Sequence, residues 1–516
     1  MRNLKIAVAL AFASAPTAAY AEWWEARSDH FIVFAEGKEA DTKAFAERLE
    51  RFDNALRYLQ KLPIGKPVPD AAKVTVYRFG DTFDIGRLAG GRSVAGFYIP
   101  RAARPVVFTP AKEERQLAVR ERADPKTLLK PEVVLFHEYT HHFMLRNFNA
   151  AYPSWYVEGF AELNSTIDLR DNGSFALGLP ANHRSSELFR MDQVPVKRML
   201  DPANRVDTIE EQLTKYSLGW LLIHNLTFSK SRSGQLLQYL KAVGAGENSL
   251  TAAERIFGDL GKLNGELQKY KSSNLPAIEV VPPNYSAPKI VLRKLTAAEE
   301  KTIRKEIQLS RGVSRSQARS IDRELAPIAA AEPKNYTAQI LSAEAALDAR
   351  NFAVATASAN RALALKPNSV DALVYKARAL FEAKEGDAAR FAEARSLLDK
   401  AMTIDPEDPR PLIETYNAWR KSGAAIPEDG AIALEAAFPL AAHDRTYRII
   451  LTRHLLEQKR YPAARQVLAP LAFSYDGRDP KDDVAGIALA SLDANKPEEA
   501  LAKLNRELAK AESDDD

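Results

Sequence analysis

The alternation of apolar and polar positions predicts a mixed α and β region over residues 22–128. A predicted helix at residues 41–61 carries one apolar stripe, formed by Phe45, Leu49, Phe52, Leu56 and Leu59. Four segments have the alternation or the β-branched and aromatic composition of strands: residues 30–34, 73–79, 96–100 and 105–109. We therefore expect a small sheet and one long helix in this part of the chain.

Helical periodicity dominates residues 129–272. Residues 131–163 contain two helical stretches, and the segment between them ends in Pro153 and Ser154, which can reverse the chain and start a second helix near Trp155. Residues 185–273 are again mostly helical. Within them, residues 216–228 are apolar enough to predict a buried helix that closes a cleft.

A change of composition predicts a domain boundary after residue 272. Residues 273–288 contain four prolines, which interrupt helices: Pro276, Pro282, Pro283 and Pro288. The charged stretch that follows, residues 293–324, is predicted to be an exposed helix. We interpret residues 273–334 as a linker and a charged helix.

Residues 335–510 are rich in alanine and have helical periodicity. An alanine followed four residues later by an apolar residue recurs at Ala355/Ala359, Ala394/Leu398, Ala464/Leu468 and Ala500/Leu504. With one degenerate unit between the second and third pairs, the period is in the mid-thirties, which resembles tetratricopeptide repeats of about 34 residues per helix pair. That resemblance implies a concave surface for a protein partner; an unspecialised helical spacer is the alternative. Residues 511–516 are predicted to be a solvated acidic tail.

The N-terminal residues predict export. Residues 1–21 combine Arg2 and Lys5 with an apolar, alanine-rich run and end in Ala19-Tyr20-Ala21, which matches the pattern of signal-peptide cleavage. We expect a periplasmic or secreted protein with no membrane span after the signal is removed. A retained N-terminal anchor is the alternative.

Composition limits the possible chemistry. The chain has no cysteine, which excludes disulfides, thiolate ligands and cysteine nucleophiles, so histidines and carboxylates must supply any metal ligands. With 72 basic and 68 acidic residues the formal net charge is only +4, and composition gives no argument for nucleic acid as a partner.

The first predicted helix of residues 131–163 contains the sequence His137-Glu138-Tyr139-Thr140-His141, an H-E-x-x-H motif. Residues four apart lie on one face of a helix, so His137 and His141 can bind one zinc ion with Glu138 beside it. His142 points away from that face and is predicted to be polar surface. A catalytic zinc site uses three protein ligands and keeps the fourth position for water.

The second helix carries two carboxylates, Glu158 and Glu162, on one face. A hairpin of the two helices would return Glu158 to the histidine pair as the third ligand. Glu162, one turn further, is placed to accept a hydrogen bond from a ligand imidazole, although a surface or capping role is equally compatible with the sequence.

These ligands predict metal-assisted hydrolysis. Zinc lowers the pKa of bound water from about 15.7 to about 7, and Glu138 can accept the proton of that water and pass it to a leaving amine. We expect Tyr216 to stabilise the oxyanion, with His183 and His224 as alternatives; ordinary packing is the other interpretation of Tyr216.

His137-Glu138-x-x-His141 followed by Glu158-Gly159-x-Ala161-Glu162 resembles the gluzincin metallopeptidases, which include thermolysin-like enzymes. The resemblance implies an α+β catalytic domain, with a small sheet over the active-site helices, followed here by the all-α repeat region. It also implies zinc ligands His137, His141 and Glu158, and Glu138 as general base. The Gly-x-Met-Glu-Asn element of the aminopeptidase branch is absent.

By the same resemblance, an edge strand of the sheet lines the cleft and pairs with substrate backbone; residues 96–100 or 105–109 are the candidates. A sheet that only supports the helix is the alternative. We therefore expect an exported zinc peptidase that acts on a protein or peptide. A peptidase-like scaffold without turnover, which binds proteins through its repeats, is the second hypothesis.

Overall fold

A computed structural model describes residues 22–91, 96–112, 129–148, 150–190, 194–201, 209–383, 387–473 and 483–513. The predicted signal peptide and the last three residues of the predicted acidic tail lie outside these ranges. The protein belongs to the mixed α+β class, with two sheets and a predominance of helix. None of the helices described has both the length and the apolar composition needed to cross a bilayer.

The strands form one larger and one smaller sheet. They are β1 (Trp23–Arg27), β2 (Phe31–Glu36), β3 (Val74–Arg78), β4 (Phe97–Ile99), β5 (Val106–Thr109), β6 (Asp168–Leu169), β7 (Phe175–Leu177), β8 (Ile278–Val280) and β9 (Val291–Lys294). The larger sheet has the order β4-β5-β3-β2-β1-β9, and the smaller has the order β6-β7-β8. Strands β2, β3 and β5 run parallel, whereas β4, β1 and β9 pair antiparallel with their neighbours. The four predicted strands are confirmed as β2 to β5.

The first half of the chain also contributes helices that pack on and beside the larger sheet. They are α1 (Glu39–Leu59), α2 (Thr82–Ala89), α3 (Pro131–Asn147), α4 (Ser154–Ser165), α5 (Ser185–Arg190), α6 (Val196–Leu200), α7 (Ile209–Phe228), α8 (Gln235–Gly244), α9 (Ser249–Phe257), α10 (Leu260–Tyr270) and α11 (Ala297–Arg311). The helix predicted at residues 41–61 is α1, and the helix predicted near Trp155 is α4.

Both faces of the larger sheet are buried under helices. Val74 and Val76 of β3 belong to the core shared with α1 and α3. Tyr77, the next residue along β3, points to the opposite face, where Ile303 and Ile307 of α11 cover it. Helix α3 is therefore held against a sheet that is itself supported from behind.

The segment interpreted as a linker and charged helix contains parts of both sheets. Residues 278–280 form β8, which pairs with β7, and residues 291–294 form β9, which pairs with β1. Arg293, expected in an exposed helix, lies in β9 and forms an ion pair with the buried carboxylate of Glu25. The prolines did not exclude these short strands because edge strands tolerate nearby proline. After β9, α11 has buried isoleucines and is not a solvated helix.

The second half of the chain is an array of helices. They are α12 (Arg315–Ala331), α13 (Tyr336–Asp348), α14 (Phe352–Leu365), α15 (Val370–Ala383), α16 (Ala388–Ile404), α17 (Pro409–Lys421), α18 (Glu428–Ala436), α19 (Phe438–Ala441), α20 (Arg445–Glu457), α21 (Tyr461–Phe473), α22 (Val484–Asp493) and α23 (Pro497–Ser513). Successive helices pack as hairpins, for example α13 with α14 and α15 with α16.

The alanine pattern in the sequence marks the second helix of each of four hairpins. The paired positions lie on α14, α16, α21 and α23, and all eight side chains are fully buried. Alanine is favoured there because a small side chain lets neighbouring helices approach closely. Between the second and third hairpins, α17 to α19 lack this alanine pattern.

The helical array packs against the sheet region. Asp371 of α15 accepts hydrogen bonds from Arg104, which precedes β5, and from Arg410 of α17. His443 lies 2.7 Å from the carbonyl oxygen of Arg101 through Nε2, and Arg146 of α3 donates to the carbonyl of Pro439 at 3.2 Å. Charged and backbone contacts therefore fix the array beside α3.

Two glycines let α4 and α7 cross with their backbones in contact. A Cβ atom on Gly159 would lie 2.5 Å from the carbonyl carbon of Gly219, and one on Gly219 would lie 2.8 Å from the carbonyl oxygen of Trp155. Neither backbone can yield without moving its helix. Glycine at these two positions therefore determines the separation of α4 from α7.

We expect Gly159→Ala to destabilise the protein by about 1–3 kcal/mol, since overpacking forces the two helices apart. The measurement is urea-induced unfolding. The matched control is Gly265→Ala in the interior of α10, where nothing lies within 4 Å of the added Cβ; it should stabilise by about 0.5–1 kcal/mol through helix propensity. Equal stability of Gly159→Ala and wild type would contradict the close crossing.

Candidate metal centre

Helices α3 and α4 form the antiparallel hairpin that carries the candidate ligands. Pro131 occupies the first turn of α3, where its missing N–H costs nothing, and Pro153 directly precedes α4. Phe136 of α3 stacks on Phe52 of α1 at 3.9 Å, and the Tyr139 hydroxyl donates to Asp53 at 2.6 Å. The inner face of α3 is thus anchored to α1, and its outer face presents His137, Glu138 and His141.

The hairpin brings His137, His141 and Glu158 together. The Nε2 atoms of the two histidines lie 3.0 Å apart, and each lies 3.3 Å from Oε2 of Glu158. Ligand atoms about 2.0–2.1 Å from a tetrahedral ion lie about 3.3–3.4 Å from one another. The triangle of donor atoms therefore has the size that a zinc-sized cation requires.

Glu158 gives a second indication of a cation. Its Oε2 atom is buried and has no hydrogen-bond partner among the described residues. A buried carboxylate oxygen without a partner is unfavourable by several kcal/mol. The donor set, two imidazoles and a carboxylate, fits zinc and contains no ligand that zinc disfavours.

Glu162 lies behind His137, one turn after Glu158. Its Oε1 atom is 3.4 Å from Nδ1 of His137, and its other oxygen is 2.8 Å from Nε2 of His183. Arg184 also donates to Glu162, at 3.0 Å through Nε. The side chain is 1% exposed, so it is not a surface residue. It orients the ring of His137 so that Nε2 faces the triangle.

Burial and charge set the protonation of the cluster. Burial alone would raise the pKa of Glu158, but the charges of His141 and His137, whose Nε2 atoms lie at ion-pair distance, lower it well below its usual value. Burial likewise opposes the charged form of Glu162, and His183 and Arg184 overcome it and lower the pKa. Burial lowers the pKa of His141, but the charge of Glu158 outweighs this effect and raises the pKa to about 9. Without a cation, a proton on His141 balances the Glu158 carboxylate.

Glu138 lines a cavity of about 230 Å³ together with His141 and Glu158. Met144, Phe148 and other apolar side chains form one wall. Tyr98 and Pro100, at β4, form part of another. The cavity is completed by residues of the helical array: His443, Arg445, Pro470 and Leu471. Glu138, two of the three candidate ligands and an apolar pocket therefore share one cleft.

Tyr216 of α7 lies beside the histidines. Its ring centroid is 5.9 Å from that of His137, at an interplanar angle of 80°, and the Arg184 guanidinium lies 5.1 Å from it. The two alternative oxyanion donors, His183 and His224, form hydrogen bonds with other groups. His183 is bound to Glu162, and the ring nitrogens of His224 contact the Tyr270 hydroxyl and the Gly178 carbonyl.

The expectation that His142 is polar surface is wrong. The residue is 5% exposed, because its side of α3 faces β4 and the helical array rather than solvent. Its Nδ1 shares a hydrogen bond of 2.8 Å with the Tyr98 hydroxyl, and its ring packs edge-on against His443. Burial holds the pKa of His142 well below its usual value, so the ring is neutral.

Sequence reasoning missed the partners of Glu162 and the cleft wall contributed by the array. Arg184 follows Glu162 by 22 residues in a region without a recognisable motif, and no spacing rule links them. The array residues lie farther still along the chain. Such contacts follow from tertiary packing and leave no local signal.

We expect cation binding to release about one proton at pH 7, because a ligand imidazole must be neutral and the pKa of His141 is about 9 in the metal-free cluster. Affinity for Zn²⁺ should rise with pH until it passes that pKa and then level off. Titration calorimetry at pH 7 in buffers of different ionisation enthalpy measures the release. An apparent enthalpy independent of the buffer would contradict the predicted protonation.

Comparison with models of protein families finds no match, and comparison with curated proteins also finds none. The interpretation of the site therefore depends on its residues and their geometry. The two features that carry most weight are the spacing of the donor triangle and the unpartnered oxygen of Glu158.

Proposed function

We propose that the protein is an exported zinc metallopeptidase of the gluzincin type. The observation that carries this proposal is the convergence of Nε2 of His137, Nε2 of His141 and Oε2 of Glu158 within 3.3 Å of one another, with Glu138 beside them in a cleft. When bound to these three residues, zinc supplies Lewis-acid activation of water and of a carbonyl group.

Three residues at or near the metal centre have further roles in this proposal. Glu138 accepts the proton of the attacking water and delivers it to the leaving amine. Tyr216 donates its hydroxyl hydrogen to the oxyanion that develops on the substrate carbonyl. Glu162 holds His137 in the tautomer whose Nε2 is free to bind the ion.

A peptide is the substrate that suits the cleft. Strand β4 ends the larger sheet, and Tyr98 and Pro100 at this strand line the cavity that contains Glu138. An edge strand offers unpaired backbone groups to an extended peptide, while the apolar cavity accepts one of its side chains. Of the two strands named as candidates, β4 is at the edge, whereas β5 is enclosed between β4 and β3.

The helical array is proposed to be a tetratricopeptide-like repeat domain. Its hairpins and their buried alanine positions support this assignment. In this proposal the repeats hold a protein partner or substrate, and their residues His443 and Arg445 bring that function to the wall of the cleft. Nucleic acid is not a proposed partner.

Export places this activity in the periplasm or outside the cell. The proposal of export depends on residues 1–21 of the sequence alone. Against a scaffold without turnover stands Glu138, because a docking module has no use for an acceptor carboxylate that shares a cleft with the candidate ligands His141 and Glu158.

We expect Glu138→Gln to lower the rate of hydrolysis of an unfolded, dye-labelled protein by about 10²- to 10⁴-fold, since the amide cannot accept a proton. Zinc content should remain at the wild-type level. Glu132→Gln is the matched control, because Glu132 lies on the same helix but pairs with Arg48 away from the cleft. Equal rates for wild type and Glu138→Gln would reject the peptidase and leave the scaffold.

We expect Tyr216→Phe to lower kcat by about 10²- to 10³-fold with little change in KM, because the hydroxyl acts only when the oxyanion forms. Zinc affinity, measured by competition with a chelator, should stay unchanged. An unchanged kcat would assign the Tyr216 ring to packing against His137 and Arg184.

A further inference from the structure

A second and larger cavity lies on the other side of the α3–α4 connection from the metal centre. Its volume is about 540 Å³. Ser154 and Trp155 of the first turn of α4 line it, whereas Val157 and Glu158 line the smaller cavity. The far wall comes from the helical array, at Ala472, Gly486 and Leu489. Both halves of the chain therefore build this cavity.

Lys215 is the buried cation of this cavity. The residue precedes Tyr216 on α7, lines the cavity, and is only 8% exposed. No carboxylate of the described residues lies within ion-pair distance of its ammonium, and none of their acceptors forms a hydrogen bond with it. Burial lowers the pKa of Lys215, and the charge of Glu158 offsets this only in part. An ammonium at a nearly buried residue that has lost most of its water and has no acceptor is stabilised when an anion binds beside it.

Several of the other polar side chains that line the cavity are already engaged. Arg465 pairs with Asp493, and Glu247 pairs with Arg255. The Ser249 hydroxyl donates to the Leu200 carbonyl. Of the two cationic side chains that line the cavity, Lys215 is therefore the one without an ion pair among the described residues.

The remaining lining defines the ligand further. Apolar side chains cover part of the wall: Met199, Leu200, Val243 and Leu489. Four carboxylates also contribute to the lining, those of Asp201, Glu247, Asp483 and Asp493. They repel a multiply charged anion such as phosphate, whereas a single carboxylate can pair with one ammonium at a smaller electrostatic cost.

We propose that this cavity binds the carboxylate of an apolar peptide segment, with Lys215 as the residue that recognises it. The inference rests on the proposed function for the statement that the ligand is a peptide. Two sources share this chemistry: the free C-terminal carboxylate and an acidic side chain within the peptide. A charge-assisted hydrogen bond in a buried site is stronger than one on the surface and gives selectivity against the neutral amide.

The test uses the full-length Glu138→Gln protein, which leaves peptides intact during measurement. Three probes are titrated by calorimetry: N-acetyl-alanyl-alanyl-leucine as the free acid, the same peptide as its amide, and N-acetyl-alanyl-glutamyl-leucine amide. The free acid, the glutamyl amide or both should bind at least about tenfold more tightly than the uncharged amide. Whichever binds more tightly identifies the source of the carboxylate. Equal affinity for all three overturns the proposal.

Substitution of Lys215 tests whether this residue causes the preference for a carboxylate over the uncharged amide. Lys215→Met, added to Glu138→Gln, should reduce the preference for the carboxylate to less than about twofold, since methionine keeps the length of the side chain and removes the charge. Lys241→Met on the exposed surface of α8 is the matched control and should keep the preference. A tenfold preference that persists in a folded Lys215→Met protein overturns the assignment.

A second variant keeps Lys215 and its charge but fills the mouth of the cavity. Ala490 lines the cavity and is exposed, so Ala490→Trp occupies its mouth without entering the core. The affinity for the preferred carboxylate peptide should fall at least about tenfold. Unchanged affinity overturns the cavity as the site, whether or not Lys215→Met folds. Because the measurement is binding to an inactive protein, a failure of the peptidase proposal appears in the hydrolysis assay and not here.

Discussion

Two ionised carboxylates, Glu158 and Glu162, are buried one turn apart on a single helix, and the surrounding structure offsets the cost of their desolvation. Removing a charge from water is unfavourable by several kcal/mol unless opposite charges and hydrogen bonds compensate. For Glu162 the compensation is complete, since His183, Arg184 and His137 surround it. For Glu158 it is incomplete, because one oxygen has only two imidazoles nearby and no hydrogen bond.

This difference separates a structural carboxylate from one suited to bind a ligand. The fully compensated residue can fix the orientation of its neighbours, while the partly compensated one gains most from a divalent charge. The close crossing at Gly159 and Gly219 serves the same end, because it holds the helix of both carboxylates against α7, which contributes Tyr216 and Lys215. Charge compensation and helix packing are thus parts of one arrangement.

The sequence predicted the parts of the protein that follow from local periodicity. The five residues His137, Glu138, His141, Glu158 and Glu162 repeat at helical spacing on two neighbouring segments, so their meeting required only a hairpin. The strands β2 to β5 and the alanine positions of the array were found in the same way.

The prediction was wrong where polar or charged residues were expected to be exposed to solvent. His142 is a polar residue enclosed by Tyr98 and His443, and the charged stretch predicted to be an exposed helix contains strand β9, which pairs with β1, and the buried Ile303 and Ile307 of α11. Neither the distant strand pairing nor the burial of His142 leaves a pattern in the neighbouring residues.

The contribution of the helical array to the cleft has a consequence for biosynthesis. Because a chain is made from its N-terminus, the hairpin of α3 and α4 is complete long before Arg445, Pro470 and Leu471 exist to enclose the cavity beside it. An unfinished chain has the candidate ligands but lacks part of the wall of this cavity. The cavity is therefore complete only after α21 has been made, and a chain that ends before this helix keeps the hairpin but loses part of the wall.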